Sequence, residues 1–169
     1  ERRAFLGAVI VPGHDRFRTN VLGKSAVHLA RVAGISRPYP IKLIVVPARS
    51  VASAGALARE KMAPILSLFT VEDEEEGLEA SRALLAAEGS GHTAVVHTAN
   101  DRIVDRFAAA MPASRILVNS PASHGVIGFK ARLMPSLTLG CGTFGNNSTT
   151  DNVSYRNLLN IKRVAHYQL

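Results

Sequence analysis

Apolar and polar positions alternate along the chain in a way that predicts strands and helices in turn. Short β-branched runs bounded by turn formers predict buried strands, and apolar residues three and four positions apart predict helices. The predicted strands are residues 42–46, 93–98 and 116–118, the predicted helices are residues 23–32, 73–88 and 101–111, and a further apolar run lies at residues 61–71. Because short turns connect these elements, we expect an α/β fold in which a mostly parallel sheet is covered by helices.

Residues 120–152 have a different character. They are dense in Ser, Gly, Pro, Asn and Thr, and residues 139–148 are too rich in turn formers for a regular element. Apolar residues are interleaved with them, namely Ile127, Leu133, Leu137 and Leu139. We therefore expect an ordered, irregular loop, and long ordered loops in compact domains are often functional.

Length and composition are those of one globular domain. The chain has 169 residues, of which 47% are hydrophobic and 20% are charged, and this is enough apolar material for a core. No apolar run approaches the roughly 18 residues of a membrane-spanning helix. A single cysteine cannot form an internal disulfide, and the first residues do not resemble a signal peptide. We therefore expect one domain, residues 1–169, in the cytoplasm.

The formal net charge of +7 raises the question of nucleic-acid binding. The basic residues are scattered, however, and aromatic residues, which would stack on bases, make up only 5% of the chain. We therefore expect no nucleic-acid partner. A basic surface would equally suit a phosphate-bearing cofactor or an acidic neighbouring domain. The acidic run at residues 72–76 is typical of a helix start, where carboxylates interact favourably with the helix dipole.

Four residues could carry chemistry. Cys141 lies between two glycines whose backbone N–H groups could stabilise a thiolate, although a small residue packed in a glycine loop is the simpler interpretation. His92 stands at a strand start after a glycine turn, and His124 lies in the irregular segment. Glu60 precedes an apolar run and could bind a sugar hydroxyl or act as a base. The spacing of His, Cys, Asp and Glu fits no metal site, and there is no glycine fingerprint of a dinucleotide or phosphate loop.

Five segments carry a resemblance to a known family. They are residues 60–66 (Glu-Lys-Met-Ala-Pro-Ile-Leu), 91–93 (Gly-His-Thr), 116–123 (Ile-Leu-Val-Asn-Ser-Pro-Ala-Ser), 135–142 (Pro-Ser-Leu-Thr-Leu-Gly-Cys-Gly) and 152–162, which includes Leu-Leu-Asn-Ile-Lys. In order and spacing they resemble the aldehyde dehydrogenase superfamily and, within it, the CoA-acylating enzymes. The similarity is greatest to the aldehyde dehydrogenase half of bacterial bifunctional aldehyde–alcohol dehydrogenases, and it extends over about residues 21–164.

The resemblance implies a reaction and residue roles. It implies the C-terminal part of an aldehyde dehydrogenase catalytic domain, in which a cysteine attacks a short aldehyde such as acetaldehyde, a hydride passes to NAD, and CoA removes the acyl group as a thioester. Glu60 would contact the nicotinamide ribose, with Met62 and Pro64 beside it in the cofactor site. His92 would assist proton transfer or CoA attack. The residues that the resemblance places in the substrate region are Asn119, His124 and Cys141.

The attacking cysteine and the dinucleotide-binding domain of that family precede the segment that starts at Glu1. The resemblance therefore implies that this chain lacks both and is inactive alone. It also implies that the parent enzyme is a homo-oligomer. Cys141 corresponds to a different cysteine, in the glycine loop of the family.

Several residues depart from the family pattern, among them His124, Val126, Asn147 and the pair Thr143 and Phe144. These departures leave the aldehyde open, and a separate acylating enzyme without an alcohol dehydrogenase half fits equally well. Two further alternatives are a hydrolytic aldehyde dehydrogenase, which would release a free acid without CoA, and a non-catalytic assembly module whose exposed apolar face drives association.

Overall fold

The computed structural model describes residues 1–168, and the chain divides into two compact units, Glu1–Gly89 and Ser90–Leu169. Each unit contains a two-stranded parallel sheet. Parallel neighbours require a crossover connection, so the chain alternates strands with helices and turns. The predicted α/β class with parallel strands is confirmed, and the predicted single domain stays a prediction.

The first unit is built from helices around the strands β1 and β2. Its elements are α1 (Arg2–Val9), α2 (Ala26–Val32), β1 (Ile44–Ala48), β2 (Ile65–Phe69) and α3 (Glu74–Ala87), with 3₁₀ turns at Thr19–Val21 and Gly55–Ala58. β1 and β2 run parallel, from Ile44 opposite Ile65 to Ala48 opposite Phe69. The apolar run predicted at residues 61–71 thus contains β2.

β1 extends past the residue that was expected to end it. Pro47 bounds the predicted strand, yet it lies inside β1 opposite Leu68. Proline is tolerated there because β1 has β2 as its single neighbouring strand among the described residues. The side of Pro47 that lacks an N–H can therefore face away from β2. Its carbonyl is also used, since it accepts a hydrogen bond from Nε of Arg2 at 3.0 Å.

The core of the first unit explains α1, which the sequence analysis did not predict. Phe5 and Val9 lie one helical turn apart, and both are buried. They join a cluster with Leu29 of α2, Val46 of β1 and Ile65 of β2. Burial of each such side chain is worth about 1.5–3 kcal/mol, so α1 is stabilised by packing rather than by a capping side chain.

α3 agrees with the predicted helix at residues 73–88 to within one residue at each end. The side chain of Asp73 caps it by accepting a hydrogen bond from the backbone N–H of Glu76 at 2.9 Å. Glu74, Glu75 and Glu76 occupy the first turn, where the helix dipole favours negative charge. Leu78 is the buried residue of its inner face.

The second unit begins with a βαβ arrangement. Its elements are β3 (Gly91–Val96), α4 (Asp101–Ala110), β4 (Ala113–Val118) and α5 (Ala122–Gly125), followed by 3₁₀ turns at Thr143–Gly145 and Tyr155–Leu158. β3 and β4 run parallel, from Gly91 opposite Ala113 to Val96 opposite Val118. β4 begins three residues earlier than predicted because pairing with β3, rather than the local apolar run, sets its start.

The irregular segment is held in place by hydrogen bonds. The buried side chain of Asn152 donates from Nδ2 to the carbonyls of Val126 and Met134, both at 2.9 Å. The backbones of Leu139 and Asn152 form an isolated antiparallel bridge. The expectation of an irregular loop with internal order is confirmed. Among the described residues, no helix has the length and apolarity to cross a bilayer.

Candidate functional site

The first candidate segment, residues 60–64, connects the 3₁₀ turn at Gly55–Ala58 to β2. Its backbone is fixed at both ends: the N–H of Glu60 donates to Oε2 of Glu88 at 2.6 Å, and the carbonyl of Pro64 accepts from the first residue of β1 at 3.0 Å. Between them, Met62 has a φ of +46°, and its carbonyl accepts from the N–H of Gly23 at 2.8 Å. Three separate parts of the first unit therefore hold this short segment.

Charged side chains reinforce the backbone beside Glu60. The carboxylate of Glu88 also accepts from Nη1 of Arg59 at 3.0 Å. The hydrogen bond from the Glu60 backbone lowers the pKa of Glu88; desolvation opposes this effect, and Arg59 adds to it. Nζ of Lys61 donates to the carbonyl of Arg59 at 2.8 Å, and partial burial lowers the pKa of Lys61, against the opposing charge of Glu88.

The segment presents polar and apolar groups to solvent. The side chains of Glu60 and Met62 are exposed, and the Glu60 carboxylate forms no hydrogen bond or ion pair with another residue in the described part of the chain. Pro64 is partly buried at the entrance to β2. A carboxylate on a fixed backbone with unoccupied lone pairs can accept hydrogen bonds from two hydroxyls of a ligand, as a ribose diol would supply.

In the second unit, His92 lies at the amino end of β3, beside a loop that approaches very closely. His92 is exposed, and the preceding Gly91 has a φ of +80°. A Cβ atom on Gly91 would overlap the carbonyl oxygen of Cys141 and lie 2.8 Å from the backbone nitrogen of Gly145. Only glycine allows this approach, so the loop around Cys141 packs directly on the backbone next to His92.

The Cys141 thiol is turned into this loop. Its Sγ donates to the carbonyl of Gly145 at 3.4 Å, and a Cβ atom on Gly145 would meet Sγ and Cβ of Cys141. The backbone N–H of Gly142 is used by the carbonyl of Thr149 at 2.9 Å. The thiol is therefore a packed group in a tight turn, which supports the simpler of the two interpretations of Cys141.

Arg115 is a residue of this site that sequence reasoning missed. It lies on β4, is only 5% exposed, and donates three hydrogen bonds. Its Nε reaches Oγ1 of Thr93 at 3.1 Å, Nη1 the carbonyl of Thr150 at 3.1 Å, and Nη2 the carbonyl of Gly140 at 2.8 Å. Burial lowers the pKa of Arg115, and the neighbouring Cys141 opposes that effect. Arg115 precedes the strand predicted at residues 116–118, so the apolar pattern carried no signal for its burial.

The structure does not bring all candidate residues of the second unit together. Asn119 follows β4, and its side-chain amide is occupied by Thr98: Oδ1 accepts from the Thr98 N–H at 2.9 Å and Nδ2 donates to its carbonyl at 2.7 Å. Because β3 and β4 are parallel, Asn119 lies at their carboxyl ends and His92 at their amino ends, roughly 15–20 Å apart at about 3.3 Å per residue. His124 lies in α5, with its ring packed edge-on against Phe129 at 5.6 Å.

Within residues 1–168, no group of three His, Cys, Asp or Glu side chains is arranged to hold a metal ion. Two arrangements of described residues present a titratable side chain to solvent on a fixed backbone. One is the exposed carboxylate of Glu60 on a fixed segment of the first unit. The other is the exposed imidazole of His92 beside the Cys141 loop in the second unit.

The chain was compared with family models, curated proteins and solved structures. No protein-family model matches it, whereas the curated proteins and solved structures that follow are all aldehyde dehydrogenases. The aldehyde-alcohol dehydrogenase of Streptococcus pneumoniae is 38% identical over 151 residues, 88% of this chain and 17% of that protein. The acetylating succinate-semialdehyde dehydrogenase of Clostridium kluyveri is 34% identical over 152 residues, 90% of this chain and 34% of that protein. The crystal structure of an acetylating aldehyde dehydrogenase from Geobacillus thermoglucosidasius matches 99% of this chain and 37% of its own, with a TM-score of 0.89 at 35% identity.

Proposed function

The chain is homologous to a segment of the acetylating aldehyde dehydrogenases, and on that premise we propose that it is part of the catalytic domain of an NAD-dependent, CoA-acylating aldehyde dehydrogenase. The observation that carries this proposal is the similarity in both sequence and fold over almost the whole chain, at 35% identity and a TM-score of 0.89 to an acetylating enzyme. The chain spans only 17% to 37% of the lengths of these relatives, and the reaction is therefore proposed for a longer parent protein.

In the proposed reaction, a short aldehyde such as acetaldehyde becomes a thioester of CoA. A cysteine outside this chain would attack the aldehyde carbon, bound NAD would supply the acceptor for the hydride that this carbon loses, and the thiol of CoA would replace the cysteine on the acyl carbon and release it as a thiolate. This chain would then supply groups that bind and orient the cofactor and the substrates. The dinucleotide-binding domain would lie elsewhere in the parent protein. The cytoplasm, where NAD and CoA are available, is the proposed location.

Glu60 is proposed to bind the ribose next to the nicotinamide. Its exposed carboxylate on a backbone fixed by Glu88 supports this role, because a ribose diol needs two acceptor lone pairs at a constant position. Met62, exposed on the same segment, would pack against the cofactor, and Pro64 would set the direction of the chain into β2. The choice between NAD and NADP is part of the proposal.

His92 is proposed to move a proton during acyl transfer. Its exposed imidazole at the amino end of β3 can accept a proton from the thiol of CoA, as the nitrogen of a general base does. Cys141 would shape the wall of the site, since its thiol is already packed against Gly145. Asn119 and His124 are proposed only as residues of the wider substrate region.

The residue roles are tested in the full-length parent enzyme. Glu60→Gln should raise KM for the nicotinamide cofactor with a smaller effect on the other substrates. His92→Ala should lower the rate of acyl transfer to CoA by about 10²–10⁴-fold, with little change in KM for the aldehyde. The matched controls are Glu79→Gln, an exposed carboxylate on α3, and His97→Ala, an exposed histidine at the other end of β3. If each variant has the same kinetics as its control, the residue roles are wrong.

One observation favours assembly as a second function. From the end of the last 3₁₀ turn onward, exposed apolar side chains alternate with polar ones, with Leu158 84%, Val164 82% and Tyr167 88% exposed. Exposed apolar stretches of this kind mark surfaces that pack on another chain or domain. We propose that this segment is covered in a homo-oligomer of the parent. Light scattering of the parent and of a Leu158→Asp, Val164→Asp variant tests this, and an unchanged mass would contradict it.

A further inference from the structure

A buried cation joins three separate parts of the second unit. Arg115 is 5% exposed, and no carboxylate within residues 1–168 forms an ion pair with it. Its three hydrogen bonds go instead to Oγ1 of Thr93 on β3, to the carbonyl of Gly140 just before Cys141, and to the carbonyl of Thr150. These acceptors are 22, 25 and 35 residues from Arg115 in sequence.

Burial of a charged side chain in this position is unfavourable in free energy. Removing a guanidinium from water is unfavourable, and hydrogen bonds to neutral carbonyls offset that cost only in part. An apolar residue would fill the same strand position without the cost. What the guanidinium adds is geometry, because its rigid planar fork fixes several acceptors relative to one another.

The geometry that it fixes includes both neighbours of His92. On one side, Gly91 is pressed against the backbone of Cys141 and Gly145, where no Cβ atom fits. On the other side, Thr93 receives the hydrogen bond from Nε of Arg115. The same guanidinium holds the carbonyl of Gly140, at the start of the loop. Both sequence neighbours of His92 are therefore connected to the Cys141 loop, Gly91 by direct packing and Thr93 through Arg115.

We propose that Arg115 is a positioning residue that locks the Cys141 loop onto β3 and thereby orients His92. We call the three hydrogen bonds from Arg115 to Thr93, Gly140 and Thr150 the Arg115 clamp, and this clamp concerns the fold alone. Its consequence for acyl transfer rests on the proposed function of His92. Arg115 touches neither substrate nor cofactor in this proposal. It acts through the backbone carbonyl of Gly140 and the side-chain hydroxyl of Thr93.

The first test measures the clamp without reference to activity. In the full-length enzyme, Arg115→Gln should increase the rate of alkylation of Cys141 by iodoacetamide, and hydrogen exchange across residues 139–150, by at least about tenfold, because the carbonyls of Gly140 and Thr150 lose a charged donor. Mass spectrometry of the peptide containing Cys141 separates its labelling from that of other cysteines. Arg82→Gln, which removes an exposed charge from α3, is the matched control and should change neither rate.

The second test measures the effect on His92. Arg115→Lys retains the charge but not the planar fork, so kcat for acyl-CoA formation should fall about tenfold to a hundredfold while KM for the aldehyde stays within about twofold. Thr93→Val, which removes one acceptor without a change in size, should give a smaller decrease in kcat. If the Arg115 variants do not fold, Thr93→Val decides the question by the same readouts.

The outcomes separate the clamp from the function. Labelling and kcat equal to those of Arg82→Gln in an active enzyme would overturn the clamp and leave the proposed function intact. Faster labelling together with unchanged kcat would overturn the orientation of His92 by Arg115. Faster labelling in an enzyme whose wild type oxidises no aldehyde would support the clamp and refute the proposed function.

Discussion

Replacement of Gly91 by alanine tests the close approach on which the second candidate site depends. Two costs are expected. At a φ of +80°, alanine is strained by about 1–2 kcal/mol relative to glycine. In addition, its Cβ would overlap the carbonyl of Cys141 and lie 2.8 Å from the nitrogen of Gly145, and both are backbone atoms that cannot rotate away. Crowding of this kind costs about 1–3 kcal/mol, so the total is about 2–5 kcal/mol.

Gly34→Ala provides the matched control. Gly34 follows α2 with a φ of +70°, close to that of Gly91, but a Cβ atom there would meet nothing within 4 Å. This substitution therefore carries the backbone strain without the crowding. We expect it to lower the local stability by only about 1 kcal/mol, because a stiffer unfolded chain offsets part of the strain.

The assay is native-state hydrogen exchange, read by mass spectrometry as the free energy of opening for peptides that cover each glycine. Gly91→Ala should lower that free energy in peptides covering residues 90–96 and 139–150 by at least about 2 kcal/mol. Gly34→Ala should affect only the peptide that contains it, by the smaller amount. Equal losses at the two positions would refute the close approach of the Cys141 loop to β3.

Three further predictions follow from single contacts. Cys141→Ser should leave most of the activity of the parent enzyme, because serine keeps a donor in the same turn; complete loss in a steady-state assay would mean that Cys141 is the attacking group. Asn152→Ala should lower the free energy of unfolding by about 2 kcal/mol, because the carbonyls of Val126 and Met134 lose the donor that the buried Asn152 side chain supplies, whereas the exposed Asn157→Ala should cost less in urea unfolding. The pKa of Glu88 is lowered from 4.5. The stability that its hydrogen bond from the Glu60 backbone contributes is therefore fully present above pH 4.5 and is lost as the pH falls through the lowered value. This half-exposed group contributes below about 1 kcal/mol, and Glu88→Gln should remove the pH dependence of hydrogen exchange at Glu60.

Elements whose signals are local could be predicted closely. α3 carries its cap, its acidic first turn and its buried Leu78 within one stretch of sequence, and its ends were predicted to within one residue. α4 follows the same rule, since Asn100 caps it and it ends one residue before the predicted end, whereas β3 begins and ends two residues earlier than predicted. The α/β class depends on the order of such elements, so it was predictable as well.

Features set by distant partners could not be predicted. α1 has no capping side chain, and its stability comes from packing of Phe5 and Val9 on residues of α2, β1 and β2. β4 begins at Ala113 because β3 pairs with it there. Arg115 interrupts the apolar pattern of β4 and suggests a strand end, whereas the carbonyls that make its burial possible lie 25 and 35 residues further along the chain.

The candidate site divides in the same way. Glu60 and His92 were singled out from their positions at strand starts, and their proposed roles came from the family resemblance. The closed packing of the Cys141 thiol and the occupied amide of Asn119 depend on contacts with Gly145 and Thr98 that no spacing rule supplies. The resemblance located a region, and the hydrogen bonds distinguish which of its side chains are available to a ligand.

NADH formation by the full-length parent enzyme with a short aldehyde, assayed with CoA and without it, decides whether the enzyme is an acylating dehydrogenase. We expect sustained NADH formation only when CoA is present, together with one acyl-CoA per NADH by mass spectrometry. Equal rates without CoA would contradict it in favour of a hydrolytic dehydrogenase. If no aldehyde yields NADH or NADPH under either condition, the proposed function is wrong and assembly becomes the better account of this chain.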